Sequence, residues 1–215
     1  MAISKELRIL DRKIIEELNN FREFKKSFTF NQKEINQEGE NLYCDGELLQ
    51  KGDEKPIGET EKWINVGFNL KGSFSKALSN LFPYEFEFDG KRLSSIESFF
   101  QGIKIKDKEV QNYVFNYNGI ASNVIKVASD FDWKEAGVIY WQGKEIMRDS
   151  EEYDNLVDEL YISAIQNPLY RNVLKNVSKP IIHSIGVTSK SETVYTRYEF
   201  EYMLNCLVAF LQKEI

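Results

Sequence analysis

With 215 residues, 42% of them hydrophobic and 13% aromatic, the chain is long and apolar enough to bury a substantial core, and it suits one domain plus an extension. Its 28 basic and 34 acidic side chains leave a net charge of −6, which argues against binding along duplex nucleic acid through a wide basic face. Two cysteines, Cys44 and Cys206, and one histidine, His183, are too few for a disulfide framework or a zinc site, and the cysteines are expected to be reduced. The one Asp-x-Asp, Asp130-Phe-Asp132, has Glu135 and Trp141 where a calcium loop wants Gly and Glu, so a mechanism without metal or cofactor is expected. No apolar run approaches the roughly 18 residues of a bilayer span, and the first residues mix acids and bases too early for a secretory signal. The expected location is the cytoplasm, with no membrane partner.

In chain order, Leu7, Leu10, Ile14, Ile15 and Leu18 recur at helical spacing and predict an amphipathic helix over residues 4–20 that must pack on something. From Asn31 to Glu61 the composition turns polar, with a short hairpin expected around 41–50 and then a loop. Residues 1–60 are therefore taken as an N-terminal extension that offers a surface for a protein partner, and 61–215 as the main domain. Phe86-Glu-Phe-Asp-Gly90 predicts a hairpin edge, because Asp-Gly tolerates the positive φ of a tight two-residue turn. One or two short helices are expected over 107–129, broken near Asn118-Gly119. Ser150 to Leu160 predicts a helix with Leu156, Val157 and Leu160 inward, and Pro168 starts another that ends near Lys175. The last helix is predicted from Thr196, where Thr-x-x-Glu199 is a capping box, through Phe210. The fold class expected is mainly α with a small β-hairpin element.

The stretch Leu78-Ser-Asn-Leu-Phe-Pro83, the Asp89-Gly90 turn and the helix Ser94-Ser-Ile-Glu-Ser-Phe-Phe-Gln-Gly-Ile-Lys104 carry the most chemistry. Glu97, Gln101 and Lys104 stand at i, i+4 and i+7 and share an arc of roughly 60° on one helical face. Phe99, Phe100, Ile103 and Ile105 supply apolar bulk beside them, so an acid and an amine can be held at the edge of a dry pocket. Each residue also has a plainer role. Ser94-x-x-Glu97 is itself a capping box, in which Glu97 only bonds back to the Ser94 N–H, and spacing alone favours that role. By spacing alone Lys104 is one of several lysines on a solvated helix end, with Lys106 and Lys108.

These motifs, followed by Asp132-Trp133, Tyr140-Trp-Gln-Gly-Lys-Glu-Ile-Met-Arg-Asp-Ser150, Gln166-Asn-Pro168, His183-Ser-Ile-Gly186 and Thr196-x-x-Glu199-Phe200, resemble in order the NADAR superfamily of YbiA-like N-glycosidases over residues 63–212. The resemblance implies that Glu97 is a general acid or base at a ribosyl group and that Lys104 is a nucleophile taking C1 of a ring-opened ribose as a Schiff base. A lysine amine, ordinarily near pKa 10.4, would have to be lowered toward neutrality for that role. Ser79, Asn80, Gln101, Asp132, Trp133, Trp141, Arg148 and His183 are the substrate-binding candidates. Trp133 and Trp141 would stack on a base or sit in the core. Arg148 would fork to a phosphate or pair with Asp149 or Glu151. His183, in an apolar Ile-Ile-His-Ser-Ile run, fits a hydrogen-bonded core position better than an acid or base.

Ser98-Phe99-Phe100-Gln101 departs from the family's His-Tyr-Phe-Gln, and His183-Ser-Ile-Gly186 stands where the riboflavin-linked branch has Asp-x-x-Trp-Gly. The resemblance therefore implies removal of ADP-ribose from guanine in nucleic acid or nucleotides, ahead of N-glycosidic cleavage of riboflavin-pathway intermediates. The alternative from another class is a module that binds ADP-ribose or a nucleotide without cleaving it. A further, weaker alternative makes residues 1–60 an arm for a toxin, host or phage partner.

Overall fold

The computed structural model describes residues 12–30, 58–120 and 133–213. The first helix, α1 (Arg12–Ser27), runs past residue 20, where its periodicity predicts the end, and it buries Leu18 and Phe21 while Ile15 faces solvent. Leu7 and Leu10, like the hairpin expected at 41–50 and the Asp130-Phe-Asp132 run, lie outside the described residues. The apolar face of α1 has a partner within the chain: Phe21 meets Phe210 edge to face at 5.4 Å, and Phe24 packs on the same ring. Its polar flank is held by Arg22 to Glu159 at 3.1 Å and Lys25 to Asp158 at 2.6 Å.

Three two-stranded sheets are present among the described residues. β1 (Ile64–Asn65) pairs in parallel with β6 (Ile181–Ile182), an association of distant segments that sequence periodicity does not reveal. β2 (Phe86–Phe88) and β3 (Lys91–Leu93) form the expected hairpin, with Phe86 opposite Leu93 and Phe88 opposite Lys91. Its turn has positive φ at both Asp89 (49°) and Gly90 (70°), the twist that matches paired strands. β4 (Val138–Trp141) and β5 (Lys144–Met147) make a second hairpin, with positive φ at Gln142 and Gly143. Asp89 joins the two turns by accepting from Trp141 Nε1 at 2.8 Å and Gln142 Nε2 at 2.9 Å.

The remainder is helical: α2 (Ser73–Ala77), α3 (Ile96–Gly102), α4 (Lys108–Phe115), α5 (Trp133–Ala136), α6 (Glu151–Ala164), α7 (Pro168–Lys175) and α8 (Arg197–Lys213). Ser150 caps α6 by accepting from Tyr153 N, and Asn167 caps α7, whose first residue is proline. Thr196 and Glu199 close the expected capping box on α8: Thr196 N donates to Glu199 Oε2 at 2.7 Å, and Glu199 N to Thr196 Oγ1 at 3.3 Å. One core runs through these elements and includes Phe99, Leu160, Tyr161, Leu204 and Leu207, all fully buried. The architecture is a single compact domain, mainly α with small β elements. No helix among the described residues is long and apolar enough to cross a membrane.

Candidate functional site

A cavity of about 420 Å³ is walled by three segments: Ser79 to Leu81, the polar face of α3, and the run from His183 through Phe200. Among the residues picked out from sequence it gathers Ser79, Asn80, Glu97, Gln101, Lys104 and His183. Each is positioned by its local fold. Glu97 N donates to Asn80 O at 2.9 Å, tying the Ser79-Asn80 turn to the first turn of α3, and Tyr161 Oη donates to Asn80 Oδ1 at 3.0 Å.

The α3 cap lies one residue later than the sequence predicts. Ser95 is the N-cap and Ser98 closes the box: Ser98 N donates to Ser95 Oγ at 3.0 Å and Ser95 N to Ser98 Oγ at 3.3 Å. Serine replaces glutamate at the third position because Ser98 is buried, where a hydroxyl fits and a long carboxylate does not. Glu97 therefore stands at the second helical position and serves the cavity face. Its Oε1 accepts from Gln101 Nε2 at 2.5 Å, while Gln101 Oε1 accepts from Lys104 Nζ at 3.0 Å. The i, i+4, i+7 register thus becomes a chain of carboxylate, amide and ammonium, although α3 ends at Gly102 and Lys104 follows it in a turn.

That turn is fastened from behind. Ile103 O accepts from Tyr140 N at 2.7 Å, and Gln111 of α4 donates to Gly102 O, Ile105 O and Tyr140 O at 3.1, 3.2 and 2.9 Å. Phe99, Ile103 and Ile105 are buried as expected. Lys104 Nζ sits 5.9 Å from the centroid of the Trp133 ring, within cation–π range.

The other candidates lie elsewhere. Trp133 is buried beside Lys104 but does not line the cavity. Trp141 packs among Phe88, Phe99 and Phe115. Arg148 is also absent from the cavity wall: it is buried over the Tyr153 ring and pairs with Glu199 at 2.6 Å, not with Asp149 or Glu151. Asp132 falls outside the described residues.

The wall contributed by 183–200 holds residues that sequence reasoning missed. Tyr195 stacks on Phe100 with centroids 4.6 Å apart and planes at 14°, making an aromatic side to the cavity. Arg197 donates from Nε to Glu201 Oε1 at 2.8 Å, and Glu201, fully buried, also accepts from His183 N at 2.6 Å. Desolvation raises the Glu201 carboxyl, against the lowering effect of Arg197. His183 Nδ1 lies 2.8 Å from Val66 O, and loss of solvation brings the imidazole down to about 4, so it is neutral near pH 7. A detectable signal was two charged residues, Arg197 and Glu201, spaced i, i+4 on the same face as Phe200 and Leu204. Behind this wall Asn65 and Ser184 exchange two bonds, Nδ2 to Oγ at 2.6 Å and N to Oδ1 at 3.0 Å, locking β1 to the segment after β6.

Residues 72–208 match the family model described as Bacteriophage protein GP30.3. The chain is 34% identical to an uncharacterized 17.1 kDa protein of the Gp30-rIII intergenic region of Enterobacteria phage T4, over 137 residues, 62% of this chain and 89% of that relative. No solved structure matches. These matches overturn the resemblance to the NADAR superfamily, since the block in which its motifs were read matches a different family. Short turn and capping patterns such as Asp-Gly and Ser-x-x-Glu recur wherever hairpins and helices start, so their order alone does not mark descent. The chain belongs to the family of Bacteriophage protein GP30.3.

Proposed function

We propose that this cavity is the active site of an N-glycosidase that cleaves the bond between ribose and a base nitrogen, with ADP-ribose on guanine, in nucleic acid or nucleotides, as the first substrate to test. The observation that carries it is the Glu97, Gln101, Lys104 chain, which holds an amine and a carboxylate on one wall of a partly enclosed cavity. In this mechanism Glu97 protonates the ring oxygen as the C1–O4 bond breaks, its electron pair going to that oxygen and the lone pair of the base nitrogen forming a double bond to C1; the Lys104 amine then adds to C1 and gives up a proton to the Glu97 carboxylate. The bond from C1 to the base nitrogen then breaks, and its electron pair leaves with the base, which takes a proton delivered by Glu97. Water adds to the resulting imine, and the sugar carbonyl and free amine are regenerated. Gln101, bonded to both, keeps the two groups in register.

One observation favours a second reading, binding without cleavage. Lys104 Nζ lies 5.9 Å from the Trp133 ring centroid, a contact that holds a cation on the cavity wall where it can pair with a phosphate. A single-turnover assay separates the two, with protein in excess over an oligonucleotide carrying ADP-ribose on guanine. Release of ADP-ribose, read by mass spectrometry, supports the hydrolase; retention of the intact conjugate on the protein supports the binder.

A further inference from the structure

The turn that follows β6 on the cavity wall departs from ordinary turn chemistry. Gly186 N donates to His183 O at 3.0 Å, which puts Ser184 and Ile185 at the two central positions. Such positions favour Gly, Asn, Asp and Ser, whose side chains suit a solvated tip, whereas isoleucine is apolar and stiff. Ile185 nonetheless stands there 52% exposed, and Val187, two residues on, is 44% exposed. Both line the cavity, so this apolar surface lies at its mouth.

The tip is held in place. Asn65 of β1 exchanges two bonds with Ser184, and His183 N donates to Glu201 of α8, so the backbone of the turn is anchored on two elements. The inner side of Ile185 is packed: a Cβ at Gly67 would lie 2.7 Å from Leu70 Cγ and 3.1 Å from Ile185 Cδ1, and only glycine fits beneath them. The outer side of Ile185 is the exposed part. Beside Gly67, the Phe68 ring carries the Lys76 ammonium 4.9 Å from its centroid, and Lys76 makes no ion pair among the described residues. Lys76 O accepts from Ser79 N at 3.2 Å, which sets this cation one turn from the cavity wall. A fixed apolar tip gains nothing in the free protein, but next to a cation it offers a base a dry surface and a phosphodiester a counter-charge.

We infer that Ile185 and Val187 form a lip on which a nucleic-acid strand lays the base next to the one held in the cavity, while Lys76 pairs with the strand's phosphodiester. Apolar side chains serve in this way where a base leaves its stack, because they replace the neighbour that has gone. The strand is single, since a net charge of −6 leaves no wide basic face for a duplex. This rests on the cavity being the base-binding site of the proposed glycosidase, and it narrows the substrate class from nucleotides to single-stranded nucleic acid.

The test is calorimetric binding, by the whole chain, of a short single-stranded oligonucleotide of thymidines around one guanine, with GMP as the comparison. The strand is expected to bind at least about tenfold more tightly than GMP, as one further base contact and one phosphate pair imply. Ile185→Ser, which puts a common turn residue at the tip, should bring the ratio within about threefold. Lys76→Gln should lower the slope of log affinity against log salt by about 0.7, the share of one phosphate on a single strand. Equal affinities for strand and GMP, a ratio that Ile185→Ser leaves unchanged, or a slope that Lys76→Gln leaves unchanged overturns the inference. So does sedimentation of the parent as a dimer that Ile185→Ser disperses, which assigns the tip to a second copy. Release of ADP-ribose from the modified oligonucleotide together with equal affinities overturns the lip and leaves the glycosidase standing. A strand preference that depends on Ile185, without release, does the opposite.

Discussion

Ser95 and Ser98 cap α3 between themselves, each backbone N–H donating to the other's hydroxyl, and the arrangement takes over the capping role that the Ser94-x-x-Glu97 spacing offered Glu97. Its carboxylate instead meets Gln101 on the cavity wall. Glu97→Gln should therefore melt within a degree or two of the parent while losing at least roughly a hundredfold in rate, about 2.7 kcal/mol of barrier, because an amide cannot pass the proton. Near-normal turnover in that variant, measured on the same oligonucleotide conjugate, would remove Glu97 from the mechanism.

Lys104 is expected to be trapped as a stable adduct when borohydride is added during turnover. Lys104→Arg should give no adduct and no turnover, since a guanidinium stays protonated and cannot form an imine. Peptide mapping of the trapped protein by mass spectrometry decides it: a label on any residue other than Lys104 rejects the assignment.

Trp141→Phe should affect stability and not ligand affinity. The substitution removes the indole N–H that donates to Asp89 Oδ2 at 2.8 Å and leaves a gap among Phe88, Phe99 and Phe115. A loss of about 1–3 kcal/mol in urea unfolding, with nucleotide affinity within twofold, is the expected pair of results. A weakened affinity in a protein of parental stability would show the ring in contact with ligand after all.

His183 makes stability depend on pH with a defined sign. Its folded pKa, about 4, lies below the ordinary 6.5, so the unfolded chain binds the proton more readily. The contribution is fully present above about pH 6.5 and is lost as pH falls toward 4, amounting to about 3 kcal/mol. It is the sole histidine in the chain, so one imidazole resonance reports the titration directly. A midpoint near 6.5 in the folded protein contradicts the burial argument, as does a parental stability profile between pH 4 and 7 that His183→Phe leaves unchanged.

Local signals in the sequence reached the elements whose causes are local. The Asp89-Gly90 turn, the start of α7 at Pro168 and the Thr196 and Glu199 box are each settled within four residues, by allowed φ or by cap chemistry. The pairing of Glu97 with Gln101 was legible for the same reason, since i+4 spacing is a property of any helix, whereas Lys104 reaches Gln101 from the turn after α3. The parallel pairing of Ile64 with Ile181 was not, because nothing near either residue encodes a partner more than a hundred positions away. With that pairing hidden, so was the wall it supports, and Tyr195, Arg197 and Glu201 went unnoticed as site residues. The α3 cap was misplaced by one residue because two serines precede the helix and only burial chooses between them. The family resemblance failed because it weighed those same local patterns as signs of ancestry.

Gln111 spends one side-chain amide on three carbonyls around the turn that carries Lys104. A turn fastened in that way has given up its backbone freedom during folding. A ligand arriving in the cavity then has only the four-carbon stem of Lys104 to immobilise, and not the segment bearing it. The entropy of assembling the amine next to Glu97 is thereby charged to the free protein, and association in this part of the cavity should resemble docking onto a rigid frame more than closure of a loop.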